Sequence, residues 1–85
     1  MVKRFKDGIN ELIGISAKHG WKLVTNPTHR YLEHESGMRI WLNARSIAAS
    51  WGNSGKYLSV THDLRTADPE YVLADIFLQM QGFER

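Results

Sequence analysis

The chain has no cysteine and only two prolines in 85 residues. The missing thiols exclude a disulfide framework, thiol catalysis and Cys-type zinc sites, and they fit a cytoplasmic protein. No apolar run approaches the roughly 20 residues needed to cross a bilayer. The N-terminus is basic, but no apolar stretch follows it, so a signal peptide is not expected. Hydrophobic residues make up 42% and aromatic residues 11%, the composition of a packed domain rather than a disordered segment. One domain with one core is expected over residues 1–85.

The net charge of +2 is unevenly distributed. Residues 1–45 hold eight Lys/Arg and four Asp/Glu, and residues 46–85 hold three and five, which gives +4 and −2. A basic half suggests an anionic partner, nucleic acid first, although uneven surfaces are common in small domains.

Read in order, the chain alternates between two periodicities. Phe5, Ile9, Leu12, Ile13 and Ser16 recur at helical spacing and predict an amphipathic helix over residues 4–19. Gly8 and Gly14 weaken it by about 1 kcal/mol each relative to alanine, so packing must hold it. Lys18 and His19 fall in its last turn, and Gly20 suits the left-handed position after it. Trp21 to Thr25 reads as a strand with Trp21, Leu23 and Thr25 on one face. Asn26-Pro27 signals a turn. His29 to Glu35 is a second strand, and Ser36-Gly37 permits a tight hairpin. Met38 to Asn43 alternates most clearly: Met38, Ile40 and Leu42 face a core, while Arg39, Trp41 and Asn43 face outward.

The stretch ARSIAASW, residues 44–51, is compatible with a fourth strand or a short helical turn. Residues 52–55 compose a loop. Lys56 to His62 reads as a further strand, and residues 63–67 as a connection. A final helix is expected over residues 69–81. Asp68 caps it, Pro69 occupies its first position, and Val72, Leu73, Ile76, Phe77 and Met80 form its buried stripe. The resulting expectation is an α+β fold: an antiparallel sheet of 3–5 strands with both terminal helices packed on one face. Trp51 and Tyr57 are expected to fill the core.

The segment ELIGISAKHGWKLVTNPTHRYLEHESG resembles the HicA-like toxin family, small cytosolic RNA-cleaving proteins with a double-stranded-RNA-binding-like fold. Lys18-His19-Gly20-Trp21 is similar to the family's helix end. Thr28-His29 is similar to the hydroxyl-histidine pair that opens the next strand. Leu32 stands where the family has an aromatic core residue, and His34 where many members have a His before Pro. The likeness covers about half of the chain. Asn26-Pro27 replaces the motif's glycine, Arg30 a second histidine, and Glu35 the proline.

The resemblance implies a metal-independent ribonuclease in which His29 is catalytic, with an antitoxin as protein partner. Imidazole chemistry fits that role, because its pKa near 6.5 serves proton transfer to and from ribose oxygens. Lys22, Arg30, Arg39 and Trp41, extended by Lys3, Arg4 and Lys6, are candidates for contacting nucleic acid through phosphate charge and base stacking. No cofactor is expected. No metal is expected either: His29 and His34 are five apart and face opposite sides of a strand, and no His-Glu-x-x-His pattern supports them. The alternative reading is a non-enzymatic phage or mobile-element protein that binds and inhibits a host protein through aromatic residues such as Trp41, Trp51 and Tyr57.

Overall fold

The fold is known from a computed structural model that describes residues 3–83, so the outermost two residues at each end of the expected 1–85 domain lie outside the described residues. Helix α1 (Phe5–Ala17) leads into strands β1 (Trp21–Thr25), β2 (Arg30–His34), β3 (Met38–Leu42), β4 (Ile47–Trp51) and β5 (Leu58–Val60), and helix α2 (Pro69–Gln81) closes the chain. The strands form one antiparallel sheet in chain order. This is the α+β arrangement expected from the sequence.

The registers define two sets of rows. Leu23, Leu32, Ile40, Ala49 and Leu58 are successive partners across the sheet. Leu32, Ile40 and Ala49 in that row are buried, and Leu23 is 40% exposed because β1 is an edge strand. On the opposite face the partners are Val24, Tyr31, Trp41, Ala48 and Ser59, with a neighbouring row of Lys22, Glu33, Arg39 and Ser50. Both helices cover the first face, and no element among the described residues covers the second. Antiparallel sheets tolerate such one-sided burial.

The core joins Ile9 and Leu12 of α1 to Trp21, Leu32, Met38, Ile40 and Ile47 of the sheet and to Val72, Leu73, Ile76 and Met80 of α2. Phe5, Ile13 and Phe77 pack against it half-buried. Asp68 caps α2 by accepting the Glu70 backbone N–H at 3.1 Å, and Pro69 begins the helix. Helix α1 contains the whole of its apolar stripe but is shorter than the expected span of 4–19, with Lys18 as its C-cap.

Two expectations are corrected. Tyr57 does not fill the core: it precedes β5 and is 56% exposed. Leu64, in the 63–67 connection, is in the core at 1% exposure. A third point was open in the sequence, and ARSIAASW resolves into a three-residue connection, 44–46, and β4, with Ile47 and Ala49 facing the core.

Leu64 also explains Gly8. A Cβ at position 8 would lie 2.2 Å from the Leu64 carbonyl oxygen, so α1 and the connection approach too closely for any side chain. Gly14 faces open space. Gly14→Ala should therefore gain up to about 1 kcal/mol from helix propensity. Gly8→Ala should destabilise despite the same propensity gain, and Leu73→Ala should cost about 2–5 kcal/mol. Denaturant midpoints of the three variants check this, and equal effects at the two glycines would contradict the close approach.

Candidate nucleic-acid interface

The open sheet face carries an aromatic cluster centred on Trp41. Its ring lies 4.7 Å from that of Tyr31, 5.8 Å from that of His29 and 6.3 Å from that of Tyr57, measured between centroids. The Arg39 guanidinium stands 4.5 Å from the Tyr31 centroid and 5.5 Å from that of Trp41. Both distances lie within cation–π range.

Hydrogen bonds fix these groups. Trp41 Nε1 donates to Ser50 Oγ at 2.8 Å, and Ser50 Oγ donates to the Gly52 carbonyl at 2.9 Å. Ser50 is fully buried, so this chain pins the indole from below. Arg39 Nε donates to Glu33 Oε2 at 3.1 Å, and its Nη1 donates to Asn53 Oδ1 at 2.8 Å. The Arg39 side chain is 17% exposed. Its charge is thus oriented and partly offset by Glu33, which leaves the planar guanidinium as a stacking surface.

His29 owes its position to the loop before it. Asn26 Oδ1 accepts the backbone N–H groups of Thr28 at 3.2 Å and His29 at 2.7 Å, and the Thr28 hydroxyl at 3.3 Å. The Asn26 N–H closes the turn on the His29 carbonyl at 2.9 Å. Asn26 therefore holds this turn through both its backbone and its side chain. The imidazole rests edge-on against Trp41 and is exposed. No carboxylate or hydroxyl is bonded to its ring among the described residues. A recess of about 370 Å³ at this end of the sheet is lined by residues 26–30 and 41–44.

The structure thus brings His29, Arg30 and Trp41 around one recess, with Arg39 stacked beside them. Lys22 stands on the same face, in register with Glu33. Lys3, Arg4 and Lys6 do not join them. They belong to the helical layer, where Lys3 pairs with Glu11 and Arg4 with Asp7. His34 points to the helix side, between Trp21 at 5.0 Å and Phe77 at 5.2 Å. Its Nδ1 accepts the Ser36 N–H at 3.1 Å, so the neutral ring carries its proton on Nε2. His19, His34 and Glu70 line a separate cleft of about 430 Å³ there. Asn53 is not marked by the sequence as part of this face, and Tyr57 joins Trp41 there only in the protein-binding alternative. The signal for Tyr57 was its alternation with Leu58, which places it on the outward side.

No group of three His, Cys, Asp or Glu suited to a metal ion occurs among the described residues. No helix among them is long and apolar enough to cross a membrane. No family model, curated protein or solved structure matches the chain.

A second titratable cluster lies behind the sheet. His62 Nε2 and Asp75 Oδ2 are 2.6 Å apart, and Gln79 Nε2 donates to the same oxygen at 2.7 Å. The bond to His62 draws the Asp75 carboxyl below its ordinary pKa; partial desolvation opposes this and the Gln79 bond adds to it. A carboxyl lowered on folding stabilises the fold above its ordinary range and loses that contribution as pH falls through the lowered value. Asp75→Asn should therefore melt below wild type at about pH 6, and the gap should close below about pH 4. Thermal melts across that range test it, and a gap independent of pH would remove the charge from the account.

Proposed function

We propose that this chain is a small cytoplasmic RNA-binding protein of the HicA-like type that engages unpaired RNA through the open face of its sheet. The observation that carries this reading is the Arg39 guanidinium stacked over Tyr31 and Trp41 on an uncovered sheet. Bases of single-stranded RNA stack on such aromatic and guanidinium planes, each contributing about 1–3 kcal/mol. Lys22 on this face and Arg30 at the end of the sheet supply phosphate contacts. Lys3, Arg4 and Lys6 stand in the helical layer and take no part in this surface.

RNA cleavage is the further step that the Thr28-His29 likeness supports. An exposed imidazole beside the stacking platform is placed to take a proton from a ribose 2′-OH or give one to the leaving oxygen. Beyond its edge contact with Trp41, no carboxylate or hydroxyl holds the His29 ring among the described residues, so substrate contacts must align it for proton transfer. The second reading, a phage or mobile-element protein that inhibits a host protein, draws on the same patch. Trp, Tyr and Arg are the residues that dominate protein-binding hot spots, and an antitoxin would bury them equally well.

Fluorescence anisotropy with a short single-stranded RNA separates these readings. Wild type should bind, with a log–log salt slope no steeper than about −1.5, because two phosphates are contacted at roughly 0.7 each. Trp41→Ala should weaken binding roughly 5- to 150-fold. His29→Ala should slow any cleavage by about 10²–10⁴-fold at saturating RNA, beyond whatever it costs in binding. Folded wild type that neither binds nor cleaves RNA would leave the protein-inhibitor reading.

A further inference from the structure

Along the outward row, side-chain size changes abruptly. Tyr31 and Trp41 are followed by Ala48 and Ser59, their partners on β4 and β5. Tyr57, two residues before Ser59, rises on the far side of that gap and faces Trp41 at 6.3 Å, with ring planes 72° apart. The result is a recess of about 450 Å³ lined by His29, Trp41, Asn43, Ala48, Asn53 and Tyr57. Its size is that of small-ligand pockets, roughly 300–1,000 Å³. Three aromatic rings form its walls and a methyl group its floor.

We infer that this recess is a subsite for one unstacked nucleobase of single-stranded RNA, flanked by the Tyr31–Arg39–Trp41 platform. The inference rests on the RNA-binding reading and adds where a base inserts and what reads it. A planar heterocycle suits the hollow over Ala48, lying against the Trp41 or Tyr57 ring rather than between them, since those two rings already meet edge to face at 6.3 Å. The polar groups at the rim are those that read base edges. Asn43 and Asn53 carry primary amides, which match the paired donors and acceptors of a base.

One of the two amides is already oriented. Asn53 Oδ1 is occupied by Arg39 Nη1 at 2.8 Å, so its free hydrogen-bonding group is the Nδ2 donor. The side-chain amide of Asn43 has no bond among the described residues and offers both donor and acceptor. The Trp41 N–H is taken by Ser50 and plays no part in reading the base. Arg39 thereby links the two elements: it stacks in the platform and sets the amide of the subsite. Phosphate contacts lie outside the recess, at Lys22 and Arg30, so a nucleotide within a chain should bind better than a free one.

Two variants test the subsite without touching the platform. Ala48→Leu fills the floor, and Tyr57→Ala removes an exposed wall on which the core does not depend. Binding of a seven-nucleotide single-stranded RNA is measured by anisotropy for wild type, both variants and Arg39→Gln, with thermal melts to verify folding. Free mononucleotides serve as competitors at the same concentration as the unlabelled oligonucleotide. Each folded subsite variant should lose roughly 5- to 150-fold in affinity. The mononucleotides should fail to displace the RNA. Wild-type affinity in both variants, with Arg39→Gln impaired, would overturn the subsite and leave the RNA-binding reading standing. Displacement by mononucleotides at equal concentration would make the recess a nucleotide site rather than part of an RNA surface. No RNA binding by wild type would overturn the function and the subsite together.

Discussion

The pleat of β3 sets the terms for everything else in the molecule. In five residues it must supply the core with Met38, Ile40 and Leu42 and the open face with Arg39 and Trp41. Because the side-chain period of a strand is two, a one-residue slip against β2 or β4 would bury the arginine and expose the core. The partners enforce the register from both sides. Leu32 and Ala49 flank Ile40 in the core, and Tyr31 and Ala48 flank Trp41 outside it. The hydrogen bonds from Trp41 to Ser50 and from Arg39 to Glu33 then tie the outward row across the same two junctions. The packing that stabilises the fold and the geometry of the proposed interface thus depend on one alignment.

Where a single face meets the core, the sequence was easy to read. The alternation of β3 and the Asp68-Pro69 start of α2 both appear in the fold as expected, because each is a local rule that tertiary contacts reinforce. Other features were hidden for identifiable reasons. Gly8 looks like a helix weakness in sequence and is a close contact in space, since its partner Leu64 lies 56 residues away. Leu64 itself sits in a segment with no periodicity. In β4 the outward residues are Ala48 and Ser50, too small and too weakly polar to mark a solvent side. The strand therefore looked equally compatible with a helical turn. Tyr57 alternates with Leu58, and with Leu58 in the core-facing row it falls outward.

Much the same holds for the site. Arg39 and Trp41 were visible as an outward basic-aromatic pair, and His29 through its motif. The basic residues of α1 were counted with them because charge summed along a chain carries no information about layers. Lys3 and Arg4 neutralise Glu11 and Asp7 on the helix instead. What remains on the open face is only modestly basic, since Glu33 offsets Arg39. Affinity for RNA is therefore expected to come more from stacking than from counterion release. The cleft near His34 is a different kind of surface: its rings pack against Trp21 and Phe77 and support the sheet edge.

The three tryptophans allow one direct test of whether the open face is the binding surface. Each indole has a distinct setting: Trp41 on the open face bonded to Ser50, Trp51 bonded to the Phe83 carbonyl, and Trp21 buried against His34. Indole N–H resonances followed by NMR during titration with single-stranded RNA report on all three at once. The account predicts a saturable shift of the Trp41 signal, with Trp21 and Trp51 nearly unmoved. Shifts confined to Trp21 or Trp51, with Trp41 unchanged at saturating RNA, would contradict it.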